Sequence, residues 1–274
     1  GYAYRLPAEY DPEHAAYPLI LAIPDEKESP ADHLRAHWTL PELLDEAILF
    51  CPQMPEDRAE WDRVMVEGRP GGLSHVLTAY RIATERLAVD IDRVYVAGRG
   101  KGVPAAIAAG NYSPQRFAGI LGRAGDAGSI GPDNFSNLPP YFSGAGALAT
   151  AFQARAREAG FDNCRLQPDG REEHLWHWIR EHPRSAHPSS ARIVVGNPFP
   201  TRVHWLRIAP TAPDAHATAE VERDTNTIRV TSHGASHATL FLNDLLVDLD
   251  RPVKLVCNGS ESNVVVRRSL ALAL

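Results

Sequence analysis

The sequence predicts an α/β protein with a mostly parallel sheet covered by helices on both faces, followed by a small all-β, sandwich-like module. In the first part, apolar runs such as residues 18–24 alternate with amphipathic segments such as residues 71–87. This alternation is typical of parallel strands buried beneath helices. After Pro183 the helical pattern gives way to short strands separated by turn residues, which is typical of a β-sandwich. We therefore predict two domains, residues 1–187 and 188–274.

Composition excludes several classes of protein. A hydrophobic fraction of 44% and a charged fraction of 23% are those of an ordinary soluble globular chain, and a formal net charge of −6 argues against a general nucleic-acid surface. No apolar run reaches the length that spans a bilayer, about 20 residues. Cys51, Cys164 and Cys257 are far apart and lie in or beside apolar runs, so we expect buried free thiols. No cofactor is predicted, and nothing in the sequence assigns a cellular compartment.

The central stretch of the first domain is residues 90–110, which combines a strand, a glycine corner and a helix. Residues 94–97 form a short apolar run, residues 98–102 read Gly-Arg-Gly-Lys-Gly, and residues 103–109 are small enough to pack closely on a sheet. This is the context of the nucleophile elbow Gly-x-Ser-x-Gly, whose central serine attacks an acyl carbon. Here the central residue is Gly100, which has no side chain with which to attack.

Three segments carry a resemblance to a known family. They are residues 89–98, which lead into the glycine corner, residues 117–120 on the next strand, and the tail at residues 178–184. Over residues 2–184 the chain resembles α/β-hydrolases of the polyhydroxybutyrate-depolymerase and feruloyl-esterase type. Residues 241–253 look like a module appended in large bacterial relatives, to which we attach no activity. The resemblance implies the α/β-hydrolase fold, with catalytic residues in the order serine, acid, histidine.

The resemblance also implies positions for the catalytic machinery. The serine position is Gly100, the acid position is Ala147, and the histidine position is His174, which is retained. In the oxyanion-hole turn, Pro24 has no N–H to donate, and the Asp25 carboxylate would repel a developing oxyanion. Three of the four components are thus altered. This pattern predicts a pseudoenzyme, a hydrolase fold that works by binding or as a structural unit.

Two other functions stay open. One is an active esterase or peptidase with relocated catalytic residues, and the other is an extracellular assembly or adhesion protein whose β module contacts a protein partner. Asp126 is a candidate for a displaced acid. Ser74, Ser143 and Cys51 are candidate nucleophiles, although none of them lies on a predicted elbow.

Two histidine pairs have spacings compatible with metal ligands. His33 and His37 lie one helical turn apart, but no glutamate completes a His-Glu-x-x-His pattern, so we expect surface histidines. His174 and His177, preceded by two glutamates, are interpreted as the rim of a former active site. No metal site is predicted.

The glycine corner is also a candidate anion site. Arg99 and Lys101 flank Gly100 where a strand ends and a helix begins, and Gly102 permits close backbone approach. We predict that Arg99, Gly100, Lys101 and Gly102 bind a small anion or an acidic group of a partner. In the alternative, both side chains point to solvent or pair with local carboxylates. The spacing does not match a P-loop.

Overall fold

In the computed structural model the chain divides into two compact units, Gly1–Ser185 and Ala186–Leu274. The structure describes residues 1–144, 146–196, 200 and 202–268. The sequence-derived domains, residues 1–187 and 188–274, stay a prediction; residue 145 of the first and residues 197–199, 201 and 269–274 of the second lie outside the described residues.

Strands and helices alternate along the first unit. Its strands are β1 (Tyr2–Arg5), β2 (Tyr17–Ile23), β3 (Ile48–Pro52), β4 (Met65–Val66), β5 (Arg69–Pro70), β6 (Val89–Arg99), β7 (Gly119–Arg123), β8 (Pro140–Ser143) and β9 (Arg165–Gln167). Its helices are α1 (Pro30–His37), α2 (Pro41–Glu46), α3 (Gly72–Arg86), α4 (Val103–Tyr112), α5 (Ala147–Glu158) and α6 (Glu172–Glu181). Short 3₁₀ turns lie at Arg58–Glu60, Gly100–Gly102 and Pro114–Arg116. None of the described helices is both long enough and apolar enough to cross a membrane.

Seven of these strands form one sheet in the order β1-β3-β2-β6-β7-β8-β9. The edge strand β1 runs antiparallel to β3, and the pairings from β3 to β9 are parallel. Helices α3, α4 and α5 contribute to the core on one face, and α1, α2 and α6 to the core on the other. The predicted α/β class, a mostly parallel sheet with helices on both faces, is confirmed.

Strand β2 shows why an uninterrupted apolar run forms a central strand. Leu19, Leu21 and Ile23 belong to one core cluster, whereas Ile20 and Ala22 belong to the other. Successive side chains of a strand point to opposite faces, so a strand covered on both faces must be apolar at every position. Full burial of a large aliphatic side chain contributes roughly 1.5–3 kcal/mol to the free energy of unfolding.

In the second unit, every helix or strand found among the described residues is a strand. Its strands are β10 (Ser190–Val194), β11 (Leu206–Pro210), β12 (His216–Glu222), β13 (Thr227–His233), β14 (Ala235–Leu240), β15 (Val253–Cys257) and β16 (Ser260–Val264). Five of them form a sheet in the order β10-β12-β13-β15-β16, in which β13 and β15 are parallel, and β11 pairs with β14. Both sheets contribute to one core, for example through Ile193, Ile208 and Ile228. The predicted all-β character is confirmed, and the closer description as a sandwich stays a prediction.

The three cysteines do not share one environment. Cys51 and Cys164 are buried free thiols, as expected, whereas Cys257 is exposed. Burial raises the pKa of the Cys51 thiol far above its ordinary value and that of Cys164 to about 12. Cys257 ends strand β15, where an apolar run does not ensure burial. The expectation of three buried thiols is therefore wrong at Cys257.

Candidate functional site

The glycine corner is occupied by the carboxylate of Asp25. Gly100 has a φ of +51°, and a Cβ atom added there would lie 2.0 Å from Asp25 Oδ2. The Lys101 N–H donates to Asp25 Oδ1 at 2.8 Å, and Arg99 Nη1 lies 3.7 Å from Asp25 Oδ2. A carboxylate of the chain itself thus takes the backbone N–H that an external anion would use. Anion binding at Arg99, Gly100, Lys101 and Gly102 stays a prediction.

His174 has an acidic partner that the sequence interpretation missed. Its Nδ1 lies 2.9 Å from Asp169 Oδ1, and Arg171 Nη2 lies 3.0 Å from its Nε2. Burial works to raise the pKa of Asp169, but hydrogen bonds from His174, Gln167 and Arg171 outweigh it and lower that pKa to about 2. The sequence feature that could have revealed this pair is the five-residue spacing of Asp169 and His174 across one short turn.

The other residues of the expected triad do not join His174. Asp126 is exposed in the loop after β7, and Ala147 is the first residue of α5. His174 lines a cavity of about 1030 Å³, whereas Arg99, beside the glycine corner, lines a different cavity. The catalytic assignments to Gly100, Ala147, Asp126 and His174 stay predictions.

A second cavity lies where the parallel strands end. Its volume is about 510 Å³, and we call it the strand-end pocket. It is lined by Ala36, His37, Thr39, Leu40, Pro41, Arg99, Arg123, Ala124, Ser143, Gly144, Gly170, Glu172 and Glu173. Crevices outside the carboxyl ends of parallel strands are the usual ligand sites of open α/β sheets.

Strand register brings three polar side chains to this pocket. Arg99, Arg123 and Ser143 are Cα partners across β6, β7 and β8. Adjacent strands lie about 4.8 Å apart, and paired residues of parallel strands face the same side of the sheet. Ala97 and Leu121, two residues before Arg99 and Arg123, belong to the core beneath α1, α2 and α6. Residues two apart on a strand face the same side, so the three polar side chains lie on the same face of the sheet as that core, at the strand ends.

Each of these strands then turns away through a residue in the left-handed region. The φ angles are +51° at Gly100, +46° at Ala124 and +58° at Gly144. Glycine adopts this conformation readily, but Ala124 is strained by on the order of 1–3 kcal/mol. Such strain clusters at functional sites. Because all three strands end in a turn of this kind, the side chains at the strand ends face the pocket.

Arg123 is the central cation of the pocket. Its Nη1 donates to the His37 carbonyl at 2.7 Å, its guanidinium carbon lies 4.4 Å from the centre of the Trp38 ring, and its Nη2 lies 3.4 Å from Glu172 Oε1. The two charged side chains are 13% and 9% exposed. Burial lowers the pKa of Arg123, and the Glu172 charge opposes that shift. An arginine nevertheless stays charged in proteins.

Glu172 fixes the loop after α1 over the sheet. Its Oε2 accepts hydrogen bonds from the N–H groups of Thr39 and Leu40 at 2.8 and 2.9 Å, and from Thr39 Oγ1 at 3.0 Å. The carboxylate therefore joins the first turn of α6 to the segment that carries His37. This bridge shapes one wall of the strand-end pocket.

His33 and His37 are not a pair of surface histidines. Ser29 caps α1 through the Asp32 N–H, and the helix places His33 and His37 one turn apart. His33 Nδ1 lies 2.8 Å from Glu28 Oε2, and His37 Nε2 lies 2.7 Å from Glu28 Oε1. His33 is buried, whereas His37 lines the strand-end pocket. The sequence interpretation missed Glu28 because it precedes the helix and does not fall within the His-Glu-x-x-His spacing.

This group predicts how stability depends on pH. Burial lowers the pKa of His33 below its ordinary value of 6.5. Burial works to raise the pKa of Glu28, but hydrogen bonds from His33, His37 and the Asp25 N–H lower it to about 2 from 4.5. As pH falls, the unfolded chain takes up both protons before the folded one. We therefore expect the free energy of unfolding to decrease below about pH 6.5 and further below about pH 4.5.

Urea unfolding at about pH 7.5, 5.5 and 4 measures this dependence. Glu28→Gln should make the decrease below about pH 4.5 smaller, whereas Glu56→Gln, at an exposed position, should leave it unchanged. The same decrease in both variants would contradict the assignment to Glu28.

The three candidate nucleophiles differ in their surroundings. Ser143 is buried at the end of β8 and lines the strand-end pocket. The Ser74 hydroxyl, in the first turn of α3, donates to the Val64 carbonyl. Cys51 is buried, and its raised pKa keeps it in the unreactive thiol form. Ser143 is therefore the candidate that combines a hydroxyl with a ligand-sized pocket.

Comparisons with known proteins identify the fold. No protein-family model and no curated protein matches the chain. A solved thermostable esterase is similar with a TM-score of 0.53 and 17% identity, over 67% of this chain and 59% of that one. A ferulic acid esterase is similar with a TM-score of 0.50 and 14% identity, over 66% of this chain and 88% of that one. At these identities the likeness shows that the chain shares the fold of these esterases, the α/β-hydrolase fold.

These comparisons correct the expected function. A non-catalytic protein was predicted from Gly100, Ala147 and Pro24, but both of the similar solved structures named above are esterases. That prediction is wrong, and the alternative of an active hydrolase with relocated catalytic residues is favoured. At such low identity the similarity establishes the fold and names no catalytic residue. Those residues must be inferred from this chain's own pocket.

Proposed function

We propose that the protein is a hydrolase of small esters that carry a second, negatively charged group, and that it works from the strand-end pocket. The observation that carries this proposal is the register of Arg99, Arg123 and Ser143 on three adjacent strand ends that line one pocket. The assignment moves the nucleophile two strands away from Gly100.

The two arginines suit an acidic substrate. Guanidinium groups bind carboxylates in a planar, bidentate geometry. Arg123 is largely committed to Glu172 and the His37 carbonyl, whereas Arg99 is 30% exposed and its ion pair with Asp25 is long, at 3.7 Å. Arg99 is therefore the cation that a substrate carboxylate recruits. The pocket volume of about 510 Å³ accommodates a small molecule.

His37 and Glu28 supply the base and its orienting acid. With His37 Nε2–H donating to Glu28 Oε1 at 2.7 Å, the lone pair of the imidazole lies on Nδ1. In the proposed reaction, Ser143 Oγ forms a bond to the acyl carbon and its proton passes to His37 Nδ1. The acyl–oxygen bond then breaks, and the alcohol leaves with that proton. Water, activated by the same imidazole, hydrolyses the acyl-enzyme. Ser143 and His37 line the same pocket, and in this proposal substrate binding brings Ser143 Oγ within hydrogen-bond distance of His37 Nδ1.

The test compares two esters of similar size and different charge. We expect kcat/KM to be higher for the mono-p-nitrophenyl ester of glutaric acid than for p-nitrophenyl pentanoate. Arg99→Gln should lower the value for the charged ester by about tenfold to a hundredfold, because one charge-assisted hydrogen bond contributes roughly 1.5–3 kcal/mol. The same substitution should change kcat/KM for the uncharged ester little.

The matched control is Arg171→Gln, an exposed arginine outside the residues that line the strand-end pocket. This variant should leave the ratio of kcat/KM between the charged and the uncharged ester unchanged. If wild type hydrolyses neither ester, or if both variants change both substrates equally, the proposed function is wrong.

A further inference from the structure

Two imidazoles and one carboxylate converge beside the strand-end pocket. The ligating atoms of Glu28, His33 and His37 all lie within 4.8 Å of one another. The two ring centres are 5.3 Å apart, one turn of α1 from each other. A base and its orienting acid require only His37 and Glu28, so the proposed reaction leaves the buried His33 without a role. A second imidazole nitrogen directed at the same carboxylate is the feature that remains to be explained.

We propose that Glu28, His33 and His37 bind one divalent transition metal ion, with zinc as the ion whose preferred ligands match best. Two histidines and a glutamate are a recurrent three-residue set for zinc, with a fourth position left to water or substrate. His37 lines the strand-end pocket, so that fourth position opens towards a space that ligands reach.

The geometry requires a small adjustment. The two N···O separations are 2.8 and 2.7 Å. Ligands about 2.0–2.2 Å from a tetrahedral zinc ion lie roughly 3.3–3.5 Å from one another. Relative to these two nitrogens the carboxylate must therefore withdraw by about half an ångström, while any ligand atoms that lie further apart, up to 4.8 Å, must approach one another. Glu28 precedes the cap residue of α1 and is partly exposed, so this shift does not disturb the helix.

The charges near the cluster do not forbid a cation. Arg123 contributes a positive charge beside His37, and Arg99 contributes a second at the edge of the pocket. Glu172 forms an ion pair with Arg123, and the Asp25 carboxylate lies within 4 Å of the Arg99 guanidinium. The two guanidinium charges are thus offset locally. Glu28 supplies one negative charge to the metal and two neutral imidazoles complete the set.

Metal binding has a consequence that rests on the proposed function. A metal on His37 Nε2 leaves the hydrogen on Nδ1, so the imidazole loses the lone pair that accepts the Ser143 proton. Zinc should therefore inhibit ester hydrolysis by the serine route. Binding itself does not depend on that reaction.

The experiment uses the full chain after treatment with a chelator. Isothermal titration with zinc should show one site per chain, and cobalt(II) should give the visible absorption of four-coordinate cobalt with nitrogen ligands. Glu28→Gln and His37→Gln should each weaken binding by about a hundredfold or more, and zinc should raise the Tm of wild type but not of these variants. The matched control His14→Gln changes an exposed histidine that pairs with Asp11 and should leave zinc binding unchanged.

Circular dichroism checks that each variant is folded. No zinc binding by wild type, or equal binding by wild type and both cluster variants, would overturn the metal site. Stoichiometric binding that requires Glu28 and His37 in a protein without esterase activity would support the metal site and reject the proposed function instead.

Discussion

Ser143→Ala is expected to lower kcat/KM for the charged ester by about a thousandfold or more, because removal of a nucleophile typically costs several orders of magnitude in rate. The substitution removes one oxygen atom from a buried strand end, so the fold should be retained. The measurement is steady-state hydrolysis of the mono-p-nitrophenyl ester of glutaric acid by chelator-treated protein.

Ser74→Ala is the matched control for this prediction. Ser74 is the other candidate serine, and its hydroxyl is bound to the Val64 carbonyl. It should keep wild-type activity. Full activity in Ser143→Ala, or an equal loss in both variants, would remove Ser143 from the reaction.

Arg123→Met is expected to lower the free energy of unfolding by about 3–5 kcal/mol, because it leaves the buried Glu172 carboxylate without its cation. Urea unfolding near neutral pH measures the loss. Arg123→Met combined with Glu172→Gln should recover part of it, because the double substitution removes both charges while the amide oxygen of the introduced glutamine still accepts from the Thr39 and Leu40 N–H groups.

The control for this effect is Arg171→Met. The ion pair between Arg171 and Asp169 is exposed at both partners, 63% and 40%, and such pairs contribute roughly 0–1 kcal/mol. A loss in Arg123→Met no larger than in Arg171→Met would show that the interaction between Arg123 and Glu172 does not stabilise the fold as described.

The elements that the sequence predicts well are those set by neighbouring residues. Strand β6, the glycine corner and α4 follow from an apolar run, three glycines and a run of small residues. The cap of α1 follows likewise from Ser29 and Pro30. In each case the local pattern and the packed structure demand the same conformation.

The site depends on contacts that local patterns do not encode. The partner of Arg123 is Glu172, on a helix 49 positions further along the chain. The alignment of Arg99 with Ser143 results from strand register, which a sequence read alone does not fix. Transfer of the family's positions placed the nucleophile at Gly100, and the non-catalytic function inferred from Gly100, Ala147 and Pro24 together was wrong. The same transfer had no means of finding Glu28 beside His33.

The central claim is that the reactive hydroxyl belongs to Ser143 rather than to the glycine corner. It is tested most directly with a serine-directed fluorophosphonate, in which a bond forms between the serine oxygen and phosphorus while fluoride leaves. Intact-mass measurement and peptide mapping then locate the label. We predict one label per chain, on Ser143, and none in Ser143→Ala. A label on Ser74, or ester hydrolysis by wild type without any labelled serine, would contradict the account.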